Sequence, residues 1–353
     1  MTHPVSRPTL PIARWLAVPR RAEPSAAPGT AGTAPSVEQS PVTGPIVLRR
    51  RTIGQSGMSA FPLAISGNVF GWTADATTTE NVLDAYWQVG GNFIDTADSY
   101  AGGRSETMIG NWLRDRRNRS EMIIATKVGK SADSPGVSQR AITAAVNASL
   151  GRLRTDHIDL LYLHIDDESI PFEETLLAVD ALIDAGKVRF LGASDHSANR
   201  LIEARIIAAQ LGAPPIVAVQ NRYSLMHRAE YEGPLERVAS QQRLGMMPRF
   251  GLAGGFLTGK YRSKFDVPRN LRSSEAMAYL SRRGIRVLAM LDRVGREHQV
   301  APATIALAWL LSKPNVIAPV VSVSGADQVL DLIAATSVQL TRHQVAELDR
   351  VSL

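Results

Sequence analysis

The sequence predicts an α/β fold, a closed (β/α)8 barrel, on three observations. Eight short apolar runs alternate along the chain with amphipathic helical patterns, which calls for parallel strands joined by helical crossovers. Successive strands end in residues that carry chemistry, and the carboxyl edge of a barrel is where such residues collect. No G-x-G-x-x-G follows the first strand, so a doubly wound open sheet of the dinucleotide-binding kind stands second.

Residues 1–45 hold nine of the chain's twenty prolines, interspersed with Ala, Gly, Ser and Thr. Such a composition builds no core and is expected to be disordered. Its one apolar stretch, LPIARWLAVP, is bounded by proline and broken by Arg14, which argues against a signal peptide.

The regular pattern runs from 46 to 353. IVLRRRTIGQSGMS suits a short hairpin with a glycine-containing turn. PLAIS is the first barrel strand. TTTENVLDAYWQVGG is a helix with threonines to cap it and Gly90-Gly91 to end it. NFIDTA is the second strand, SETMIGNWLRDR a helix and MIIATKV the third strand. VSQRAITAAVNASLGRL follows, with Ile142, Ala145, Val146, Ser149 and Leu153 on one face. HIDLLYLH is the fourth strand; its helix, PFEETLLAVDALIDAG, has Pro171 at its start and Gly186 at its end. VRFLGAS and PIVAVQ are the fifth and sixth strands, followed by helices over ANRLIEARIIAAQLG and EYEGPLERVASQQR. GMMPRF is the seventh strand. A loop over about 251–274 leads to a helix around Glu275–His298, and ATIALAWLLSK precedes the eighth strand, VIAPVV. Two further helices, ADQVLDLIAAT and TRHQVAELDRV, finish the chain.

Composition narrows the function. A 44% hydrophobic content over 353 residues supplies a sizeable core. The absence of cysteine excludes disulfides, thiol catalysis and cysteine metal sites. No apolar run is long enough for a membrane span. With no export signal either, the cytoplasm is the expected compartment. The pI of 9.8 suggests nucleic acid, but the charge is local. Seven of 39 basic residues and two of 33 acidic ones fall in residues 1–60, leaving 32 against 31 in the rest. A near-neutral folded part argues against a nucleic-acid surface.

The second strand delivers Asp95 and, five residues on, Tyr100; the third ends at Lys127 and the fourth at His164. A lysine ammonium beside a phenol favours the phenolate, and a carboxylate fixes the lysine. With a histidine to hydrogen-bond the substrate oxygen, the four make a proton-transfer site for a carbonyl or alcohol. Side chains supply no hydride, so redox chemistry here implies a nicotinamide or flavin. Two rivals are weaker. His164 with Asp166, Asp167 and Glu168 lacks the spacing of a helical metal motif, so no metal is expected. Ser194, Asp195 and His196 are adjacent and lack a G-x-S-x-G elbow, which argues against a hydrolase.

FIDTADSY, GRSETMIGNWL, IIATKVG, SLGRLRTDHIDLLYLH, GKVRFLGAS and LAGGFLTGKYR together resemble the aldo-keto reductase family, over about residues 46–353. The resemblance implies a metal-free (β/α)8 barrel that reduces small aldehydes or ketones with NADPH. It implies Tyr100 as general acid, Lys127 and Asp95 tuning it, and His164 orienting the carbonyl. Ser194 and Gln220 match the positions that hold the nicotinamide carboxamide, but Asp195 replaces an asparagine and Arg249 replaces an aromatic ring. The two substitutes are candidates to pair with each other. Gly251, Leu252, Gly254 and Lys260 match the pyrophosphate-gripping loop. Ser324 and Gln328 are the nearest matches at the adenosine 2′-phosphate position, where the usual basic residue is missing. A second class of the same fold is a non-catalytic nucleotide-binding regulatory or redox-sensing subunit.

Overall fold

Two strands of two residues each, β1 (Arg51–Thr52) and β2 (Ser59–Ala60), form the antiparallel hairpin that precedes the barrel. The computed structural model describes residues 49–266 and 275–353. The disorder expected for residues 1–45 lies outside the described residues, as does part of the loop expected over 251–274.

The eight predicted barrel strands are present. They are β3 (Ala64–Ser66), β4 (Phe93–Asp95), β5 (Ile123–Val128), β6 (Ile158–Leu163), β7 (Val188–Ser194), β8 (Ile216–Gln220), β9 (Gly245–Met246) and β10 (Val320–Val321). They lie in the order β10-β3-β4-β5-β6-β7-β8-β9, with every neighbouring pair parallel. Parallel bridges Met246↔Val316 and Arg249↔Val320 close the ring. β9 and β10 are shorter than the runs GMMPRF and VIAPVV because each run contains a proline, which donates nothing to a ladder. Their carbonyls still accept: Pro248 O from Val320 N–H at 2.8 Å and Pro319 O from Ala64 N–H at 2.9 Å.

The helices are α1 (Ala76–Gln88), α2 (Arg104–Arg116), α3 (Gln139–Leu153), α4 (Phe172–Asp184), α5 (Ala198–Leu211), α6 (Pro234–Gln241), α7 (Arg282–His298), α8 (Pro302–Leu311), α9 (Asp327–Ile333) and α10 (Arg342–Ser352). Three boundaries differ from expectation. Asp75, not a threonine, caps α1 by accepting from Thr78 N–H. α6 starts only at Pro234, because Gly233 (φ 105°, ψ −117°) is far from helical and a residue before proline avoids the helical region. α7 starts at Arg282, where Ser281 accepts from Gly284 N–H. α10 opens with a reciprocal capping box between Thr341 and Gln344. Among the described residues no helix is long and apolar enough to cross a membrane.

Strand periodicity divides the apolar residues into two bodies. Ile94, Ile124, Leu161 and Leu163 face out and pack with helix residues such as Leu83, Ile142 and Leu176. Phe93, Ala125, Leu160, Tyr162 and Ala218 face in and form an inner column. Ile53, Met58 and Ala60 of the hairpin region join that column, and Arg51 Nη1 donates to Val316 O at 2.7 Å. The hairpin thus plugs the amino-terminal mouth of the barrel and leaves the carboxyl rim as the open end.

Candidate active site

The period of two that builds the inner column also builds the site. Phe93 faces in, so Asp95 does; Ala125 faces in, so Lys127 does; Tyr162 faces in, so His164 does. Lys127 is 1% exposed and Asp95 is fully buried, with Nζ 2.5 Å from Asp95 Oδ1. The ammonium also donates to Thr96 O at 2.9 Å and to Tyr100 Oη at 3.3 Å. Its three protons thus have three acceptors, and Tyr100 holds the one nearest the rim. The rings of Tyr100 and His164 meet edge-on, with centroids 6.1 Å apart. Gln220 Nε2 donates to Asp95 Oδ2 at 2.8 Å, so both Asp95 oxygens are engaged.

The charges of this cluster are fixed by its surroundings. Burial pulls the Lys127 ammonium down, but Asp95 and Tyr100 more than offset it, leaving its pKa above the usual lysine value. Lys127 is therefore a permanent cation. Burial, then the charges of Lys127, Lys130 and Arg249, push the His164 imidazole down to about 2. His164 is neutral at any ordinary pH, and its Nδ1 is buried without a hydrogen-bond partner. Below the rim, burial and then Asp95 hold the Tyr162 phenol well above its usual value. It stays protonated, so Tyr100 is the phenol placed to exchange a proton. Gly192 makes room for Tyr162: a β-carbon there would fall 2.5 Å from its Cδ1.

A second polar layer lies on the outer face of the same strands. Thr126, pointing away from Lys127, donates to Glu106 Oε1 at 2.5 Å, and Arg152 Nε donates to Glu106 Oε2 at 2.7 Å. Asp98 is 2% exposed and neither carboxylate oxygen has a partner. Burial, and then the Glu106 charge, push its carboxyl up to about 6. The Asp98 N–H donates to Lys127 O at 3.0 Å, tying the loop that carries Tyr100 to β5.

At the rim, Asp195 and Arg249 bind each other. Arg249 Nη2 lies 2.8 Å from both Asp195 oxygens and Nε lies 3.1 Å from Oδ1. Asp195 takes a left-handed conformation, φ 59°, which aspartate tolerates better than most residues. Ser194 is buried at the end of β7, in register with Gln220. Gly251, Leu252, Gly254 and Lys260 lie on the loop after β9, which is kinked at Gly254 and Gly255 with φ 63° and 88°. Lys260 folds back over that kink, its Nζ 4.9 Å from the Tyr261 ring centroid. After β10, Ser324 N–H donates to Gln328 Oε1 at 3.0 Å.

A family model described as Aldo/keto reductase family matches residues 64–353, everything from β3 onward. The chain belongs to the aldo/keto reductase family. It is 29% identical to a norsolorinic acid reductase of Aspergillus flavus over 311 residues, covering 83% of this chain and 78% of that one. It is 31% identical to an aryl-alcohol dehydrogenase of Pestalotiopsis microspora over 278 residues, 76% and 71% of the two chains. It is also 31% identical to a probable voltage-gated potassium channel subunit beta of Oryza sativa subsp. japonica over 302 residues, 82% and 92% of the two chains. Family membership together with the oxidoreductases among these relatives makes the chain an oxidoreductase.

In this aldo/keto reductase the four residues expected to carry the chemistry stand together, and the expected Asp195–Arg249 pair is formed. Gln220, expected at a carboxamide, donates its amide nitrogen to Asp95. Asp166 is tied to Arg200 at 2.8 Å, and among the described residues no group of three or more His, Asp or Glu is placed to hold a metal ion. His196 Nδ1 bonds the Ser194 carbonyl, 2.9 Å away, not its hydroxyl. Sequence reasoning missed Asp98, Glu106 and Arg152, whose only signal was their polarity inside otherwise matched blocks. It also missed Lys130, three residues past Lys127.

Proposed function

We propose that the protein reduces a small aldehyde or ketone to an alcohol with NADPH, and that Tyr100 is the general acid. The observation that carries this reading is the Lys127 ammonium held between Asp95 and Tyr100, at 2.5 and 3.3 Å. The Tyr100 hydroxyl gives its proton to the carbonyl oxygen, and Lys127 receives the phenolate left behind with no change of its own charge. Asp95 and Thr96 O hold Lys127 in place. Neutral His164, with Nδ1 buried, turns Nε2 toward the rim and donates to the same carbonyl oxygen.

The residues present fit a nicotinamide dinucleotide. Ser194 and Gln220 stand side by side at the ends of adjacent strands, in register. The Gly254–Gly255 kink, with Lys260 folded over it, offers bare backbone and a cation to phosphate. Ser324 and Gln328 are already linked after β10. When bound, NADPH would supply the hydride that no side chain can. Asp195, bonded to Arg249, offsets part of the positive charge that an oxidised ring would face there.

Two measurements test the reading. Fluorescence titration of the full chain should show micromolar NADPH binding. Tyr100→Phe should lower kcat on reducible carbonyls by about 10²–10⁴-fold with NADPH affinity retained. A Tyr100→Phe enzyme as active as wild type would remove Tyr100 from the chemistry. A second reading, a regulatory subunit that holds a nucleotide without turning over, is favoured by the likeness to the potassium channel subunit, which covers 92% of that relative. Tight NADPH binding with no turnover on a broad carbonyl panel would select it.

A further inference from the structure

Lys130 is a cation that the scheme above leaves idle. It follows β5 by two residues, and Gly129, at φ 118°, turns the chain there. That conformation disfavours a side chain, and a β-carbon would also sit 3.2 Å from Ile165 Cγ1. Gly136 N–H donates to Gly129 O at 2.9 Å, which closes the 129–136 loop. Lys130 is thus built into the rim by local geometry.

The ammonium has no hydrogen-bond partner among the described residues. Its nearest acid oxygen, Asp195 Oδ2, is 4.0 Å away and already accepts from Arg249 at 2.8 Å. Two acids of the neighbouring loop are engaged elsewhere, Asp166 with Arg200 and Asp167 Oδ1 with the Ser169 hydroxyl and N–H, and Glu168 of the same loop makes no ion pair with Lys130. Two cations therefore share one carboxylate. The Arg249 Nη1 group makes no hydrogen bond either, since Nε and Nη2 carry all the contacts to Asp195. Burial, and then the opposing charges of Arg249 and Lys127, lower the Lys130 pKa against the pull of Asp195. Lys130 lies just past the end of β5, which carries Lys127, and Arg249 is bonded to Asp195 just past the end of β7, so both stand on the rim that carries the Tyr100 hydroxyl.

We propose that Lys130 and Arg249 Nη1 form a subsite for an anionic group, so that the preferred carbonyl substrates carry a carboxylate. The proposal rests on the reductase reading for the word substrate, but the subsite itself can be read without turnover. An ammonium and a guanidinium edge, unpaired and partly desolvated, match a carboxylate by charge-assisted hydrogen bonds. An uncharged carbonyl compound would leave the Lys130 ammonium and the Arg249 Nη1 edge without a hydrogen-bond partner.

The test compares benzaldehyde with 3- and 4-carboxybenzaldehyde as substrates for the full chain with NADPH, in wild type and Lys130→Met. At least one carboxylated aldehyde should exceed benzaldehyde in kcat/KM by about tenfold, the worth of one hydrogen bond to a charged group. That advantage should shrink with added salt and fall toward one in Lys130→Met. Calorimetric titration with isophthalate and terephthalate gives the same reading without chemistry, and should show weaker binding to Lys130→Met. Dicarboxylate binding lost in Lys130→Met while no aldehyde is reduced upholds the subsite and fells the reductase reading. A carboxylate advantage that is absent, or that survives Lys130→Met, overturns the subsite. So does a Lys130→Met protein that loses NADPH affinity and keeps dicarboxylate affinity, because the cation would then serve the cofactor's phosphates.

Discussion

Asp98 is the residue whose protonation the fold controls most openly. Its carboxyl titrates near 6 in the folded protein and near the usual value of about 4 in an unfolded chain. Between those pH values the folded state binds the extra proton. The contribution to stability is therefore full below about pH 4 and is lost as pH rises through about 6. Above that, wild type carries a buried, unpartnered carboxylate. Asp98→Asn should be more stable than wild type at pH 8 by on the order of 2 kcal/mol, with the difference vanishing near pH 4. Urea unfolding at the two pH values measures this. Asp98 also shows where sequence reading stops. Asp95, Lys127 and His164 were legible because strand periodicity and strand ends put them on one rim. Asp98 owes its shift first to burial and then to the charge of Glu106 on α2, and Glu106 is held by Arg152 on α3, 46 residues further along. Only the packing of two helices brings those charges together.

At the scale of the element, one strand serves two chemistries. β5 sends Lys127 inward to Asp95 and Thr126 outward to Glu106, so adjacent residues belong to separate polar systems. Its neighbour β6 places Tyr162 in register with Lys127, and β7 yields space for that ring at Gly192. Gly192→Ala should press a methyl group into Tyr162 and destabilise the fold by about 1–3 kcal/mol, the usual cost of overpacking. A lowered melting temperature would report it; an unchanged one would mean that Tyr162 moves freely. Elements were legible in the sequence wherever they were long and periodic. They were misjudged where a single proline or cap decided the boundary, as at Pro234, Ser281 and the two prolines of the closing strands.

Over the whole molecule, the barrel is unevenly sewn. β5, β6 and β7 are six or seven residues long and pair along their length, whereas the closing strands β9 and β10 have two residues each. Local opening follows the density of buried, paired backbone. Amide hydrogens of Met246 and Val320 should exchange faster than those of Leu161 and Leu191, as native-state exchange with mass spectrometry or NMR will show. Equal protection would mean that the ring opens only when the whole fold does. The closure of eight strands was legible from their count alone. The weakness of the seam was not, because it depends on which backbone N–H groups find partners across it.

The hairpin over residues 51–60 makes the barrel a cup and not a tube. Its inner column is filled from below by Ile53 and Ala60, both fully buried. Whatever visits the Tyr100 hydroxyl must come and go over a single lip. A molecule lodged there blocks the next arrival until it departs. The queue at that lip, and with it the sequence of arrivals and departures, is imposed by two short strands on the far side of the molecule from the chemistry.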